Sequence, residues 1–296
     1  MNRHDLAALL ALPPRLPQPP RASSDGIETR PDHVVERLSL DLGHADPVRA
    51  FLTRPLEARG RLPAILYCHA HGGRYDIGAA ELLDGRPALL DPPGPAFARA
   101  GFVSLCLDMP TFGNRQTPNE SALSKALLWR GKTLMGEMLG DLLAGFDHLR
   151  SRPDVDPGKI AAFGLSMGAT HAYFLGALEP RFARVAHLCC YADWGTLVAT
   201  GAHDLHGHYM TIPGLLAKTS VGAIAGLIAP RPQLICVGYA DPLTPREAVA
   251  RAFEETQVAY AGAGATQALT LLAEPDAGHV ETPRMRNAVL QFLGAM

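Results

Sequence analysis

The chain has 296 residues, of which 19% are charged and 47% are hydrophobic, and its formal net charge is −2. These values are typical of a globular protein, and a balance so close to neutral argues against binding of nucleic acid or another polyanion. The longest apolar runs, such as 221–229, are far shorter than the roughly 20 residues that a membrane-spanning helix needs. We therefore expect neither nucleic acid nor membrane as a partner. The length suits one large domain, and nothing in the composition indicates an oligomeric state.

The first 31 residues differ in character from the rest. The sequence MNRHDLAALLALPPRLPQPPR predicts a short helix that is followed by a proline-rich arm. A signal peptide is the alternative, but Asp5 interrupts the apolar run and no A-x-A-like cleavage site follows it. We therefore predict a helix and arm over residues 1–31, a main domain over 32–296, and a cytoplasmic location.

The cysteines agree with that location. They are odd in number and lie inside apolar runs, at Cys68, Cys106, Cys189, Cys190 and Cys236. This usage predicts buried, reduced thiols and argues against a disulfide framework.

From residue 33 onward, strand-like runs alternate with helical patterns, which indicates a mostly parallel sheet with helices on both faces. Residues 33–42 and 48–55 alternate in polarity with period two around the turn-like GHADP, so they predict an opening antiparallel pair. Nearly continuous apolar runs predict six further strands, each buried on both faces, at 64–70, 102–108, 159–166, 183–192, 233–241 and 268–279. The sequence thus predicts an α/β fold with about eight strands.

The segment 194–230 is too long for a simple connection between strands, and it is rich in glycine, alanine and histidine. Its mixed helical signals are compatible with a small helical cap or lid, and equally with a helical excursion that has no gating role. The sequence leaves both interpretations open.

The pentapeptide Gly164-Leu165-Ser166-Met167-Gly168 follows an apolar strand and precedes a helical pattern. In that setting, G-x-S-x-G is typical of a strained turn that projects a nucleophilic serine above the end of a sheet. The alternative is that Ser166 merely caps the next helix, as serines often do. We expect Ser166 to be a nucleophile.

A serine hydroxyl needs a base that can take its proton near neutral pH, and histidine is the usual choice. His279 is the candidate, because it alone among the twelve histidines follows the last apolar strand and directly precedes the final helix. An acid must then orient the imidazole. Asp241 ends a strand and lies between serine and histidine in chain order, while Asp193 at the end of the preceding strand is its rival. We predict the triad Ser166, Asp241 and His279.

Acyl transfer develops a negative oxygen that backbone N–H groups must stabilise. One predicted donor is the N–H of Met167, the residue after the nucleophile, and the other comes from the loop CHAHGG after an earlier strand. Within that loop we predict the N–H of His71, and the neighbouring Ala70 and Gly72 stay open as alternatives.

Two histidine groups have spacings that suit a metal: His69 with His71, and His203, His206 and His208 together with Asp204. The first lacks the acidic and histidine partners of a binuclear site. The second lies in a glycine-rich segment that can equally expose histidines to solvent. We therefore predict no metal site, and the proposed acyl transfer requires no organic cofactor.

Together, GLSMG after a strand, CHAHGG after an earlier one, YAD before PLTP, and DAGH near the end resemble the α/β-hydrolase superfamily over nearly the whole chain. FVSLCLDMPTFGNR and LIAPRPQLICVGYADPLTP resemble its dienelactone hydrolase and acetyl xylan esterase branch. This resemblance implies an α/β-hydrolase fold, with 32–296 as the catalytic domain and a small-molecule ester as the substrate of a cofactor-independent esterase. Dienelactone hydrolases proper carry a cysteine where Ser166 stands.

Two other functions compete with this prediction. A non-catalytic binding protein can have the same fold, because a fold alone does not determine a function. A small serine peptidase of the prolyl-oligopeptidase type shares these motifs, but such enzymes normally rely on a large additional domain, for which we expect no room in 296 residues. The complete set of triad candidates favours a carboxylic ester hydrolase.

Overall fold

The computed structural model describes residues 1–57 and 60–296. Strands occupy β1 Arg21–Thr29, β2 Val34–Asp41, β3 Val48–Arg54, β4 Leu62–Cys68, β5 Val103–Leu107, β6 Val155–Leu165, β7 Arg184–Leu188, β8 Gln233–Gly238 and β9 Leu269–Glu274. The helices are α1 Arg3–Leu9, α2 Glu81–Asp84, α3 Pro93–Arg99, α4 Glu120–Leu128, α5 Leu134–Ser151, α6 Met167–Leu178, α7 Trp194–Thr200, α8 Leu215–Lys218, α9 Val221–Gly226, α10 Arg246–Gly262 and α11 Pro283–Gly294.

The strands form one sheet in the order β1-β2-β3-β5-β4-β6-β7-β8-β9. The pairs β1–β2, β2–β3 and β3–β5 are antiparallel. Every further neighbouring pair in the sheet is parallel. Two hydrophobic clusters lie on opposite faces of the sheet: one includes side chains of α5 and α6, and the other includes side chains of α3 and α11. The predicted fold class, a mostly parallel sheet between helices, is confirmed.

Within the residues that the structure describes, the sheet has nine strands, not eight, because the predicted arm contains β1. All nine side chains of β1 are exposed, so its sequence shows no alternation between buried and exposed positions. The strand forms by backbone pairing with β2, from Arg21 opposite Asp41 to Thr29 opposite Val34. Hydrogen bonding to a neighbour, and not burial of its own side chains, determines this edge strand.

The residues before β1 pack along the main domain. The hydroxyl of Thr133 donates to the Leu10 carbonyl at 2.6 Å, and the Arg3 guanidinium donates to the Leu227 carbonyl at 2.8 Å. The N-terminal helix thereby contacts the end of the 194–230 segment. Within the ranges 1–57 and 60–296, no helix combines the length and apolar character needed to cross a bilayer.

The five cysteine side chains all lie in the described ranges, and all are buried and free. They occupy or directly follow sheet strands, where they act as small apolar side chains.

Candidate active site

Ser166 lies in a sharp turn between the end of β6 and the start of α6. Its backbone has φ 59° and ψ −123°, a left-handed region that costs energy for any residue with a Cβ atom. The Ser166 N–H donates to the Leu188 carbonyl at 2.8 Å, which fixes the turn to β7. The side chain makes no capping hydrogen bond. The geometry therefore does not support the alternative role of Ser166 as a helix cap.

The two outer glycines of GLSMG permit a close approach of backbones at this turn. A Cβ atom on Gly168 would lie 1.9 Å from the Cys68 carbonyl oxygen, and one on Gly164 would lie 2.4 Å from the Gly168 carbonyl oxygen. Neither distance leaves room for a side chain. The N-terminus of α6 therefore rests directly on the end of β4, next to the loop that follows Cys68.

His279 follows β9 and reaches Ser166. Its Nε2 atom lies 2.8 Å from Ser166 Oγ, and its Nδ1 atom lies 2.6 Å from Asp241 Oδ2. The imidazole is partly exposed and the Asp241 carboxylate is fully buried. The structure thus brings the three predicted triad residues into one hydrogen-bonded chain.

Asp241 is oriented by its own loop. Its Oδ1 accepts the Leu243 N–H at 2.9 Å, and its Oδ2 accepts the Thr244 hydroxyl at 3.1 Å in addition to His279. The rival acid Asp193 instead caps α7, where it accepts the N–H and the hydroxyl of Thr196 at 2.8 and 2.7 Å. Of the two candidate acids, only Asp241 is paired with His279.

The loop after β4 lies next to the N-terminus of α6. The Ala70 N–H donates to both oxygens of Glu81 at 3.1 Å, so it is not free to bind a substrate oxygen. Among the described residues, the N–H groups of Met167, His71 and Gly72 have no hydrogen-bond partner. The geometry thus removes Ala70 from the alternatives and leaves His71 and Gly72 beside Met167.

Glu81 holds the loop from the protein interior. Besides the Ala70 N–H, its buried carboxylate pairs with the Arg86 guanidinium, and Arg86 donates to the Ala70 carbonyl at 3.0 Å. Sequence reasoning missed Glu81, because a single carboxylate in a short helix carries no motif that marks it as a support.

The comparisons with known proteins agree with this architecture. The model of the dienelactone hydrolase family matches residues 94–193. Over 268 residues, the chain is 37% identical to the Bacillus subtilis (strain 168) protein named "Putative hydrolase YtaP", and the match covers 90% of this chain and 89% of that protein. The chain belongs to the dienelactone hydrolase family. Because a lactone is a cyclic ester, membership also confirms the predicted enzyme class, a hydrolase of carboxylic esters.

Solved structures similar to this family member include esterases. A glucuronoyl esterase from Solibacter usitatus superposes with a TM-score of 0.72 at 12% identity, and the match covers 99% of this chain and 91% of the esterase. Acetyl xylan esterase 1 from Thermoanaerobacterium sp. JW/SL YS485 superposes with a TM-score of 0.68 at 16% identity, over 99% and 92% of the two chains. At such identities, the likeness establishes the shared α/β-hydrolase fold.

Two of the candidate metal ligands, His203 and His206, have other partners in this dienelactone hydrolase family member. His203 Nδ1 and His206 Nε2 donate to the carbonyls of Leu197 and Leu243, at 3.4 and 3.0 Å. In the part of the chain that the structure describes, no three histidine, cysteine or acidic side chains form a group suited to a metal ion. His206 instead links the 194–230 segment to the loop of Asp241.

His69 is buried beside the site and uses both ring nitrogens. Its Nδ1 donates to the Ala70 carbonyl at 3.2 Å, and its Nε2 accepts the Met109 N–H at 3.2 Å. Burial lowers the pKa of His69 from 6.5 to about 3. The ring is therefore neutral, and it connects the loop after β4 with the loop after β5.

This lowered pKa predicts acid sensitivity of the fold. The unfolded chain binds a proton at His69 near pH 6.5 and the folded chain only near pH 3. The contribution of His69 to the free energy of unfolding should therefore fall by about 1.4 kcal/mol for each pH unit of acidification between these values. Urea titrations from pH 7 to pH 5 measure this slope. His171 and His187 add slopes of the same sign.

His69→Gln is the matched control for this prediction. Glutamine keeps one donor and one acceptor but gains no proton. The free energy of unfolding of this variant should therefore fall less steeply with acidification, by the amount that His69 contributes. An unchanged slope would contradict the assignment of His69 as a buried neutral histidine.

A cavity of about 380 Å³ lies within the 194–230 segment. Its walls are largely apolar and include Trp194, Leu197, Met210, Ile212, Leu215 and Leu216. Two further wall residues also face the site: His206 bonds to the loop of Asp241, and a Cβ atom on Gly207 would lie 2.7 Å from His71 Nε2. The cavity adjoins the site through these residues, and the triad side chains are not part of its lining.

Proposed function

We propose that this chain hydrolyses small-molecule carboxylic esters by a Ser-His-Asp mechanism. The observation that supports the proposal is the hydrogen-bonded chain from Ser166 through His279 to Asp241, with separations of 2.8 and 2.6 Å. A binding protein has no need to align these three groups, or to hold its serine in a strained turn.

The first half of the reaction forms an acyl-enzyme. His279 Nε2 accepts the proton of the Ser166 hydroxyl while Oγ attacks the ester carbonyl carbon, and the carbonyl π electrons move onto oxygen. The tetrahedral intermediate then collapses, the C–O bond to the alcohol breaks, and His279 donates its proton to the departing alkoxide. Asp241 keeps the Nδ1 proton on the side away from serine and stabilises the charged imidazolium.

The second half repeats these roles with water. His279 accepts a proton from water, the hydroxide attacks the acyl carbon, and collapse of the intermediate returns the proton to Ser166 Oγ and releases the acid. In both halves, the N–H groups of Met167 and His71 are the proposed donors to the oxyanion. The Met167 N–H lies at the start of α6, whose dipole adds positive potential there, and the His71 N–H lies in the loop after β4.

A fluorophosphonate probe tests the proposal directly. The wild-type protein should hydrolyse p-nitrophenyl acetate or butyrate, and the probe should modify it once, on the peptide that contains Ser166, as located by mass spectrometry. Label on another residue would overturn the assignment of Ser166. Folded protein with neither label nor turnover would overturn the mechanism and favour a ligand-binding role.

A further inference from the structure

Glu120, the first residue of α4, carries a charge in a buried position. Its residue exposure is 3%, and its side chain is in contact with three hydrogen-bond donors. They are the His71 Nε2 atom at 3.1 Å, the Tyr75 hydroxyl at 2.8 Å and the Tyr209 N–H at 3.0 Å. Burial opposes the charge, but the hydrogen bonds from His71 and Tyr75 outweigh it and lower the pKa of Glu120. The group is therefore a carboxylate acceptor at neutral pH.

The ring of His71 is fixed at both nitrogens. Its Nδ1 accepts the Gly73 N–H at 3.0 Å, so the ring proton must be on Nε2, which donates to Glu120. The imidazole also packs edge-on against Tyr75 and Phe112, with ring centroids 5.0 and 5.2 Å away. A ring held in this way determines the backbone orientation of residues 71–73, because Gly73 is bonded to the same ring.

The third donor comes from the 194–230 segment. Tyr209 reaches Glu120 through its backbone, and Gly207 lies so close that a Cβ atom there would be 2.9 Å from Glu120 Oε1. One carboxylate thus joins α4, the loop after β4 and the segment above the site. The three donor groups, His71 Nε2, the Tyr75 hydroxyl and the Tyr209 N–H, lie outside the triad, and none of them takes part in the steps proposed above.

We propose that Glu120 is a positioning residue, which orients the His71 N–H toward the oxyanion by holding the His71 imidazole. The inference rests on the proposed esterase function. His71 Nε2 and the Tyr75 hydroxyl both donate to Oε2, and the Tyr209 N–H donates to Oε1. A glutamine has one acceptor oxygen, so its NH₂ group must face either the Tyr209 N–H or the two donors on the other side. In both orientations a donor faces a donor, so the side chain must shift from the position in which it holds the His71 ring.

The test is steady-state hydrolysis of p-nitrophenyl acetate by Glu120→Gln. Loss of an oxyanion donor costs about 10²- to 10³-fold in kcat, so a displaced donor should cost about 10- to 100-fold in kcat with KM changed by less than about 3-fold. Glu36→Gln is the matched control, because Glu36 is a buried carboxylate bonded to Arg54 and Arg152 far along the sheet in β2. Glu36→Gln should lower the melting temperature and leave kcat unchanged.

A double-mutant cycle separates positioning from general support. If Glu120 acts through the His71 ring, then His71→Ala and the Glu120→Gln/His71→Ala double variant should have the same kcat within about 3-fold, because the second change removes nothing further. Multiplicative losses, or a Glu120→Gln variant with wild-type kcat, would overturn the proposal. If Glu120→Gln does not fold, a wild-type kcat in His71→Ala would overturn it as well.

Failure of this inference is distinguishable from failure of the esterase proposal. In the first case the wild-type protein is labelled at Ser166 and active, and only the variants depart from expectation. In the second case the wild-type protein itself shows neither label nor turnover.

Discussion

Ser166→Ala is expected to lower kcat for p-nitrophenyl acetate by at least about 10³-fold, because the variant has no nucleophile and any residual rate comes from the remaining groups of the site. The fold should persist. Alanine carries a Cβ atom as serine does, so the strained backbone at φ 59° is neither relieved nor made worse. Circular dichroism and a melting curve measured beside the kinetics establish that the loss is chemical.

The matched control is Ser104→Ala. Ser104 is buried in β5, and its hydroxyl has no hydrogen-bond partner among the described residues. This variant also loses a serine hydroxyl from the sheet but should keep the wild-type kcat. A Ser166→Ala variant as active as Ser104→Ala would contradict the proposed acyl-enzyme.

Asp241→Asn should lower kcat by about 10²- to 10⁴-fold without unfolding the protein. The amide nitrogen would face His279 Nδ1, which then has to accept a hydrogen bond and carry its proton on Nε2. That nitrogen can no longer take the proton of Ser166. The Leu243 N–H can still donate to the amide oxygen, so the loop after β8 should keep its shape. Kinetics and a melting curve for the purified variant provide the measurement.

Asp193→Asn is the comparison that makes this result specific. Asp193 caps α7 through hydrogen bonds from Thr196, and asparagine caps helices as well as aspartate does. Its kcat and melting temperature should stay close to those of the wild type. Equal losses of kcat in the two variants would mean that the loss is not specific to Asp241, and would contradict its assignment as the acid that orients His279.

The sequence predicts most of the fold because parallel strands buried on both faces are nearly continuous apolar runs. The prediction fails where backbone pairing or backbone conformation, and not burial of side chains, determines where a strand lies. β1 exposes every side chain and is held by backbone pairing alone. The run predicted as a strand over 183–192 ends at Leu188, because Cys189 has φ 59° and the chain turns away there. Neither event leaves a periodic signal in the sequence.

The triad candidates were accessible to sequence reasoning for a topological reason. Ser166, Asp241 and His279 each follow a strand, and the carboxyl ends of neighbouring parallel strands lie at one edge of a sheet. Glu81 and Glu120 were not accessible, since they act through tertiary contacts with the loop after β4. A carboxylate that supports a loop from a distant helix is indistinguishable in sequence from a solvated one.

The 194–230 segment connects β7 to β8, which are parallel neighbours with Leu188 opposite Cys236. Any such connection must cross over outside the sheet, and the entropy cost of a longer crossover grows slowly with length. Insertions and deletions there can accumulate while the register of the strands that precede the triad candidates stays the same. The strands before the triad candidates and the walls of the cavity in 194–230 can therefore change separately, provided that the backbone of residue 209 still donates to Glu120.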